Sequence, residues 1–237
     1  MMHVFFATPS FAGPAKPYLE SLDRTVAALH ARGDAVSAEM VGGDCYVQRA
    51  RNTLVAHFLR TDATHLFFLD DDLDWPAEAV LKLIDAGLPV TFGAYPMKDD
   101  KGEDYPVVLN VDLHTYQPLG RADGWLSASG APAGFLCVTR EAILHLRDMY
   151  PERAFDDWDR ATGAEKGRAW DLFPQGVNHG RWWGEDYGFC NLWTFIGGMI
   201  WCWPDIDFGH TDRRTGKRYV GNYDRYLRSL PKKDEAA

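Results

Sequence analysis

Five residues, His65 to Leu69 (HLFFL), give the strongest strand signal in the chain, and they run directly into three acids, Asp70-Asp71-Asp72. An apolar run this short, closed by polar residues, suits a strand buried on both faces rather than a helix, which needs ten or more residues. Such strands belong to mainly parallel sheets with helices on each side. The flanking segments fit that constraint. His3 to Ala7 reads as a first strand closed by Thr8-Pro9-Ser10, and Pro17 to Arg32 as a helix with Leu19, Leu22, Val26 and Leu29 on one face. Ala35 to Val41 then reads as a strand, Tyr46 to Arg60 as a helix, and Pro76 to Gly87 as another helix with Pro76 in its first turn. Strands follow at Pro89–Gly93, Pro106–Val111 and Gly134–Val138, the last leading through Thr139 as N-cap into a helix ending near Tyr150. Alternation of this kind predicts an α/β domain with a mixed, mainly parallel sheet covered on both faces. Residues 152 to 183 lack periodicity and read as a long loop or partial helix, which in a compact domain is usually functional.

With 237 residues, 46% apolar and 25% charged, the chain is long and apolar enough for one sizeable core and is neither disordered nor fibrous. Cys45, Cys137, Cys190 and Cys202 show neither zinc-site spacing nor disulfide-scaffold density, so a reducing compartment is expected. The first ten residues lack a signal-peptide pattern, so a cytoplasmic location is expected. Tyr187 to Pro204 carries eighteen residues without a charge and is flanked by acids at both ends, and its polarity and lack of basic anchors mark it as buried core rather than a membrane span.

Ligands of open α/β sheets bind beyond the carboxyl ends of the strands, which is where the acidic triplet falls. In extended backbone Asp70 and Asp72 point to one side and Asp71 to the other. Two converging carboxylates need a cation between them, and hard oxygen ligands favour Mg²⁺ or Mn²⁺. Arg49, Arg51 and Asn52, near a helix start, are candidates for pairing with phosphate or hydrogen-bonding a nucleoside, with solvation of the helix face as the competing reading. Thr8, Pro9 and Ser10 fall at the same sheet edge.

The stretch RARNTLVAHFLRTDATHLFFLDDDLDWPAEAVLKLI, from Arg49 to Ile84, resembles the nucleotide-binding half of GT-A-fold glycosyltransferases, whose acidic DxD motif ends a central strand. It looks most like small bacterial and phage members. GAPAGFLCVTREAIL, WWGEDYGFC and FGHTD extend the resemblance, less specifically, over most of the chain. It implies a Rossmann-type GT-A-like domain over 1–237, with 1–110 binding the nucleotide sugar, 111–209 the acceptor and catalytic half, and 210–237 a basic segment. It also implies a UDP-sugar donor, a Mn²⁺ or Mg²⁺ ion on Asp70, Asp72 and His210, and Asp71 beside the donor. Asp186 of Gly184-Glu185-Asp186 matches the base of an inverting transfer, with Glu185 positioning the acceptor; helix capping is the competing role. Gly134, Trp182, Trp183, Arg213 and Arg214 are placed at the acceptor. Between His210 and Lys233 eight basic residues face two acids, against −15 for the remainder, so a saccharide, a small molecule or a hydroxymethylated DNA base can each be the acceptor. A haloacid-dehalogenase-like phosphatase, a nucleotidyltransferase and a non-catalytic nucleotide-sugar-binding module are the alternatives. The first two lack their accompanying motifs, and joint retention of DxD and GED argues against the third.

Overall fold

A computed structural model describes residues 1–158, 165–178 and 180–230. The chain opens with β1 (His3–Ser10), α1 (Lys16–Ala31), β2 (Ala35–Gly42), α2 (Val47–Leu59) and β3 (His65–Leu69). A short β4 (Leu73–Asp74), α3 (Ala77–Ile84), β5 (Val90–Gly93), β6 (Val108–Leu109), β7 (Leu126–Gly130), β8 (Phe135–Thr139) and α4 (Arg140–Met149) follow. The remainder comprises β9 (Ala154–Trp158), β10 (Glu165–Trp170), β11 (Gly176–Asn178), β12 (Arg181–Trp183), α5 (Glu185–Phe195), β13 (Ile200–Trp203), β14 (Phe208–Thr211), β15 (Arg218–Gly221) and α6 (Tyr223–Ser229).

The central sheet has the order β2-β1-β3-β8-β5-β13-β7-β6. Six of its eight strands point one way, and only β8 and β7 are reversed. This is a mixed α/β fold with a mainly parallel sheet, and β3 shows why the apolar run demanded it. Leu66 and Phe68 enter a core shared with α2, α4 and α5, while Phe67 and Leu69 enter a second core shared with α1 and α3. Alternate side chains of one strand thus serve opposite faces. Thr139 caps α4 as its sequence position predicts, its hydroxyl accepting the Ala142 amide at 3.3 Å.

Residues 152 to 183 depart from expectation. Instead of a loop or partial helix, the described residues of this stretch form two antiparallel strand pairs, β9 with β10 and β11 with β12, while 159–164 and 179 lie outside the described residues. The strands are short and largely solvent-facing, so they carry no apolar alternation to betray them. Tyr187 to Pro204 divides at Gly197-Gly198 into most of α5 and the strand β13, with Phe189, Cys190, Leu192, Ile200 and Cys202 buried. Among the described residues no helix is long and apolar enough to cross a membrane. All four cysteines are free thiols.

Asn52 of α2 fastens the segment that follows β10. Its amide nitrogen donates to Asp171 at 2.9 Å, and its amide oxygen accepts the Leu172 and Phe173 backbone amides at 3.0 and 3.1 Å. Asn52→Ala leaves the buried Phe173 amide without its acceptor, while the Leu172 amide keeps the Trp170 carbonyl, and is expected to destabilise the fold by about 1–3 kcal/mol. Urea unfolding of both proteins reads this directly; a loss below about 1 kcal/mol would contradict it.

Candidate active site

The ends of β1, β3 and β5 and the beginning of β8 share one sheet edge, and the acidic triplet is moored there. The Asp70 amide donates to the Gly134 carbonyl at 2.8 Å, and the Leu73 amide returns to the Asp70 carbonyl at 3.2 Å. Asp71 and Asp72 therefore occupy a turn, which corrects the extended geometry assumed for the triplet. The three carboxylates diverge. Asp70 accepts from Arg51 Nη2 at 2.8 Å and, more loosely, from the Tyr95 hydroxyl at 3.5 Å. Asp71 pairs with Arg213 and hydrogen-bonds Ser10. Asp72 pairs with Lys98 and lies 3.4 Å from His210 Nε2.

Arg51 is only 3% exposed. Its Nη1 donates to the Ala133 carbonyl at 3.2 Å, its Nε approaches Glu185 at 3.4 Å, and its guanidinium lies over the Phe68 ring. Burial works against this charge, yet Asp70 and Glu185 outweigh it and raise the pKa above the ordinary arginine value. The DDD and GED motifs, 115 residues apart between Asp70 and Glu185, are thereby joined through one cation.

Glu185 and Asp186 occupy the first turn of α5, after Gly184 as N-cap. Asp186 Oδ1 accepts the Tyr187 amide at 2.7 Å. Burial, followed by the Glu185 charge, pushes its carboxyl up to about 6, against the smaller downward effects of that amide and Arg51. Such a carboxyl is poised to exchange a proton near neutrality.

His210 reaches the cluster because β14 pairs with β4, setting His210 opposite Leu73. Its Nδ1 lies 2.8 Å from the Pro96 carbonyl, so that nitrogen donates, and Nε2 is aimed at Asp72. Unless doubly protonated, it presents a lone pair to a carboxylate, an arrangement that a shared cation satisfies. His210 and Asp72 thus fit a divalent metal. Asp70 is turned to Arg51, and among the described residues no three His, Cys, Asp or Glu side chains form a metal-holding group.

Other sequence candidates fall unevenly. Arg51 and Asn52 are corrected as direct donor contacts: Arg51 is sealed beneath the two acidic motifs, and Asn52 is consumed by the segment at residues 171–173. Arg49 leans on Asp44 at 2.6 Å. Thr8 is buried with its hydroxyl 2.6 Å from Tyr18, whereas Pro9 and Ser10 line a cavity of about 360 Å³ with Phe11, Asp44, Cys45 and Val47. Gly134 serves by lacking a side chain, because a Cβ there would fall on the Asp70 carboxylate and the Tyr95 hydroxyl. Trp182 is 69% exposed and Trp183 half-buried, and both line a cleft beside α5.

The basic segment is no open cationic patch: Arg213, Lys217, Arg218, Arg225 and Arg228 each pair with an aspartate. Arg214 is exposed, and Lys232 and Lys233 lie outside the described residues. Tyr95 and Lys98 were missed. Both follow the β5 strand, and the strand-end rule that selected Asp70 applies equally to Tyr95-Pro96-Met97-Lys98.

No family model and no curated protein sequence matches the chain. Among solved structures it is similar to GalNAc-T7, crystallised with UDP, GalNAc and Mn²⁺, at 11% identity and a TM-score of 0.48, over 90% of this chain and 43% of that one. It is similar to a glycosyltransferase involved in glycosylation of the major capsid of PBCV-1, at 10% identity and 0.34, over 65% and 66% of the two chains. A third is 4-diphosphocytidyl-2C-methyl-D-erythritol synthase from Anaerococcus prevotii DSM 20548, at 13% identity and 0.34, over 66% and 81%. The chain thus spans less than half the length of the first and about two thirds of the second. Likeness at this level assigns no residue a role.

Arg51→Met leaves Asp70 and Glu185 facing each other without their cation. Removing one partner of a buried ion pair costs about 3–5 kcal/mol, and the partial water access of Asp70 places the expected loss near the lower figure. Chemical denaturation checks this; an Arg51→Met protein as stable as the parent would show that the bridge holds nothing.

Proposed function

We infer that the chain transfers a glycosyl group from a nucleotide-sugar donor, a UDP-sugar in the first instance, to a hydroxyl acceptor, with inversion. The observation that carries this reading is the Arg51 bridge. It puts a strand-end acid cluster and the raised-pKa Asp186 carboxyl at one sheet edge. The resemblance of the DDD and GED segments to GT-A-fold enzymes supports the same reading from the sequence.

In this scheme the acceptor oxygen attacks the anomeric carbon, the bond from that carbon to the diphosphate oxygen breaks, and the acceptor proton passes to Asp186. Glu185, held by Arg51, orients the acceptor. Asp72 and His210 would hold Mn²⁺ or Mg²⁺, which when bound supplies positive charge to the diphosphate. Lys98 and Arg213, already at the rim of the acidic turn, add cationic charge for the departing nucleoside diphosphate. Because Lys217, Arg218, Arg225 and Arg228 of the C-terminal segment are paired internally, a hydroxylated small molecule or saccharide is better supported as acceptor than DNA.

Titration calorimetry with UDP and UDP-sugars, with and without Mn²⁺, tests the donor half. Metal-supported binding is expected, and Asp72→Asn or His210→Ala should abolish the metal-dependent part while leaving the unfolding transition in place. Donor binding indifferent to chelator and to both substitutions would overturn the metal assignment.

Asp186 makes a second, pH-dependent test. As a base it must be ionised, so kcat/KM should rise with pH through about 6, and Asp186→Asn should remove that limb and lower kcat by about 100-fold or more. Stability moves oppositely. With its folded-state pKa above the ordinary 3.8, Asp186 contributes stability that is complete below that value and lost as pH rises through about 6. Asp186→Asn should therefore melt higher than the parent above pH 6 while being nearly inactive. A variant that is active, or less stable there, assigns Asp186 to helix capping.

A further inference from the structure

Trp183 divides two clefts. On one side is a cavity of about 320 Å³ walled by Trp182, Tyr187, Val108 and Ser129, with Arg181 at its edge. On the other is a cavity of about 230 Å³ between the β11–β12 strand pair and α5, walled by Pro174, Val177, Leu192 and Phe195. Asn191, on α5, lines both. Trp183 Nε1 and Asn191 Nδ2 are buried and have no hydrogen-bond partner among the described residues. A buried donor without an acceptor costs about 1–3 kcal/mol, so two around one partition are not accounted for by packing.

The chemistry of the walls restricts what can satisfy them. Both orphan groups are N–H donors, so the ligand must bring oxygen acceptors. The surrounding surface is aromatic and aliphatic, which calls for apolar faces on the same ligand. Positive charge is sparse: Arg181 stands beside the first cavity, and Arg153, beside the second, is already paired with Asp171 at 3.0 Å. A phosphate-rich polymer is therefore poorly matched. A neutral pyranose combines ring and hydroxyl oxygens with C–H faces that lie against indole and phenol rings. Reaching the two nitrogens requires the β11–β12 wall to give way slightly, and that wall is the lightly anchored part, with three paired residues and Val177 and Trp182 mostly exposed.

We propose that Trp183 and Asn191 form an acceptor subsite for a neutral oligosaccharide, with one ring in each cleft and a hydroxyl of the ring beside Tyr187 presented towards Asp186. The assignment of that hydroxyl rests on the glycosyl-transfer reading; the saccharide site itself does not.

The test is donor-free binding of the whole protein to an array of neutral oligosaccharides, with monosaccharide and duplex DNA spots included, followed by titration of the retained glycan into ¹⁵N-labelled protein. Retention of a di- or larger saccharide is expected, with a shift in the Trp183 indole N–H resonance, assigned through Trp183→Phe. Trp182→Ala, at an exposed position that the fold does not need, should weaken binding about tenfold. Asn191→Leu, which removes one donor, should weaken it about three- to tenfold, the equivalent of one hydrogen bond. Retention of no saccharide, retention of DNA in their place, or a bound glycan that leaves the Trp183 resonance and both variants' affinities unchanged overturns the proposal. The two readings fail separately. A blank array with intact UDP and Mn²⁺ binding removes only the saccharide site, whereas a bound saccharide without donor binding leaves that site and removes the transferase.

Discussion

A guanidinium with 3% exposure, as at Arg51, is tolerable only where opposite charge and hydrogen-bond acceptors replace the water it has lost. Here the replacements come from three separate parts of the chain: Asp70 after β3, the Ala133 carbonyl before β8, and Glu185 at the start of α5. None of the three elements can shift without uncovering a buried charge. This is a constraint on geometry more than a source of stability, since the gain in attraction largely offsets the cost of desolvation. Its consequence is that the first turn of α5, and with it Asp186, is fixed relative to the end of the central strand.

The acidic triplet poses the reverse problem. Three successive carboxylates repel, and leaving them on one face would concentrate that repulsion. The turn at Asp71 and Asp72 separates them, and each finds a cation from a different element: Arg51 on α2, Arg213 in the β14–β15 connection, and Lys98 after β5. For Asp72 burial works against the charge, yet its neighbours His210 and Lys98 hold the carboxyl down to about 2. The cluster is thus compensated as a folded element while keeping cations at its rim.

What could be read from the sequence was what local periodicity encodes. The strand at His65–Leu69 coincides with β3, and the helices around residues 17–32 and 46–60 with α1 and α2, because apolar spacing alone decides them. The strand pairs of 154–183 and the strand β7, whose Ser127, Ala128 and Ser129 are small, gave no such pattern. At the site, residue type was informative and direction was not. Arg51 and Asn52 are neighbours on one helix, so their side chains leave it about 100° apart, and both cannot face the same ligand. Arg51 turns to Asp70, and Asn52 to the 171–173 segment more than a hundred residues away, which no local pattern encodes. Ion pairing of the basic segment was hidden for the same reason, since four of its five partners lie outside that segment.

Glu185 and Asp186 show how adjacent residues of one type acquire different chemistry. Both sit in the first turn of α5, where the helix dipole favours negative charge equally for each. The difference lies in partners. Glu185 faces the Arg51 guanidinium, a permanent cation. Asp186 has one backbone amide, and it feels the charge of Glu185 as repulsion. Arg51 compensates Glu185 directly, whereas at Asp186 its charge acts downward and is outweighed by burial and by the Glu185 charge, which push that carboxyl up to about 6. Pairs of titratable groups whose surroundings separate their proton affinities are how one site holds an anchor and a base side by side. The buried cation thus fixes where Asp186 stands, while burial beside Glu185 sets its proton affinity.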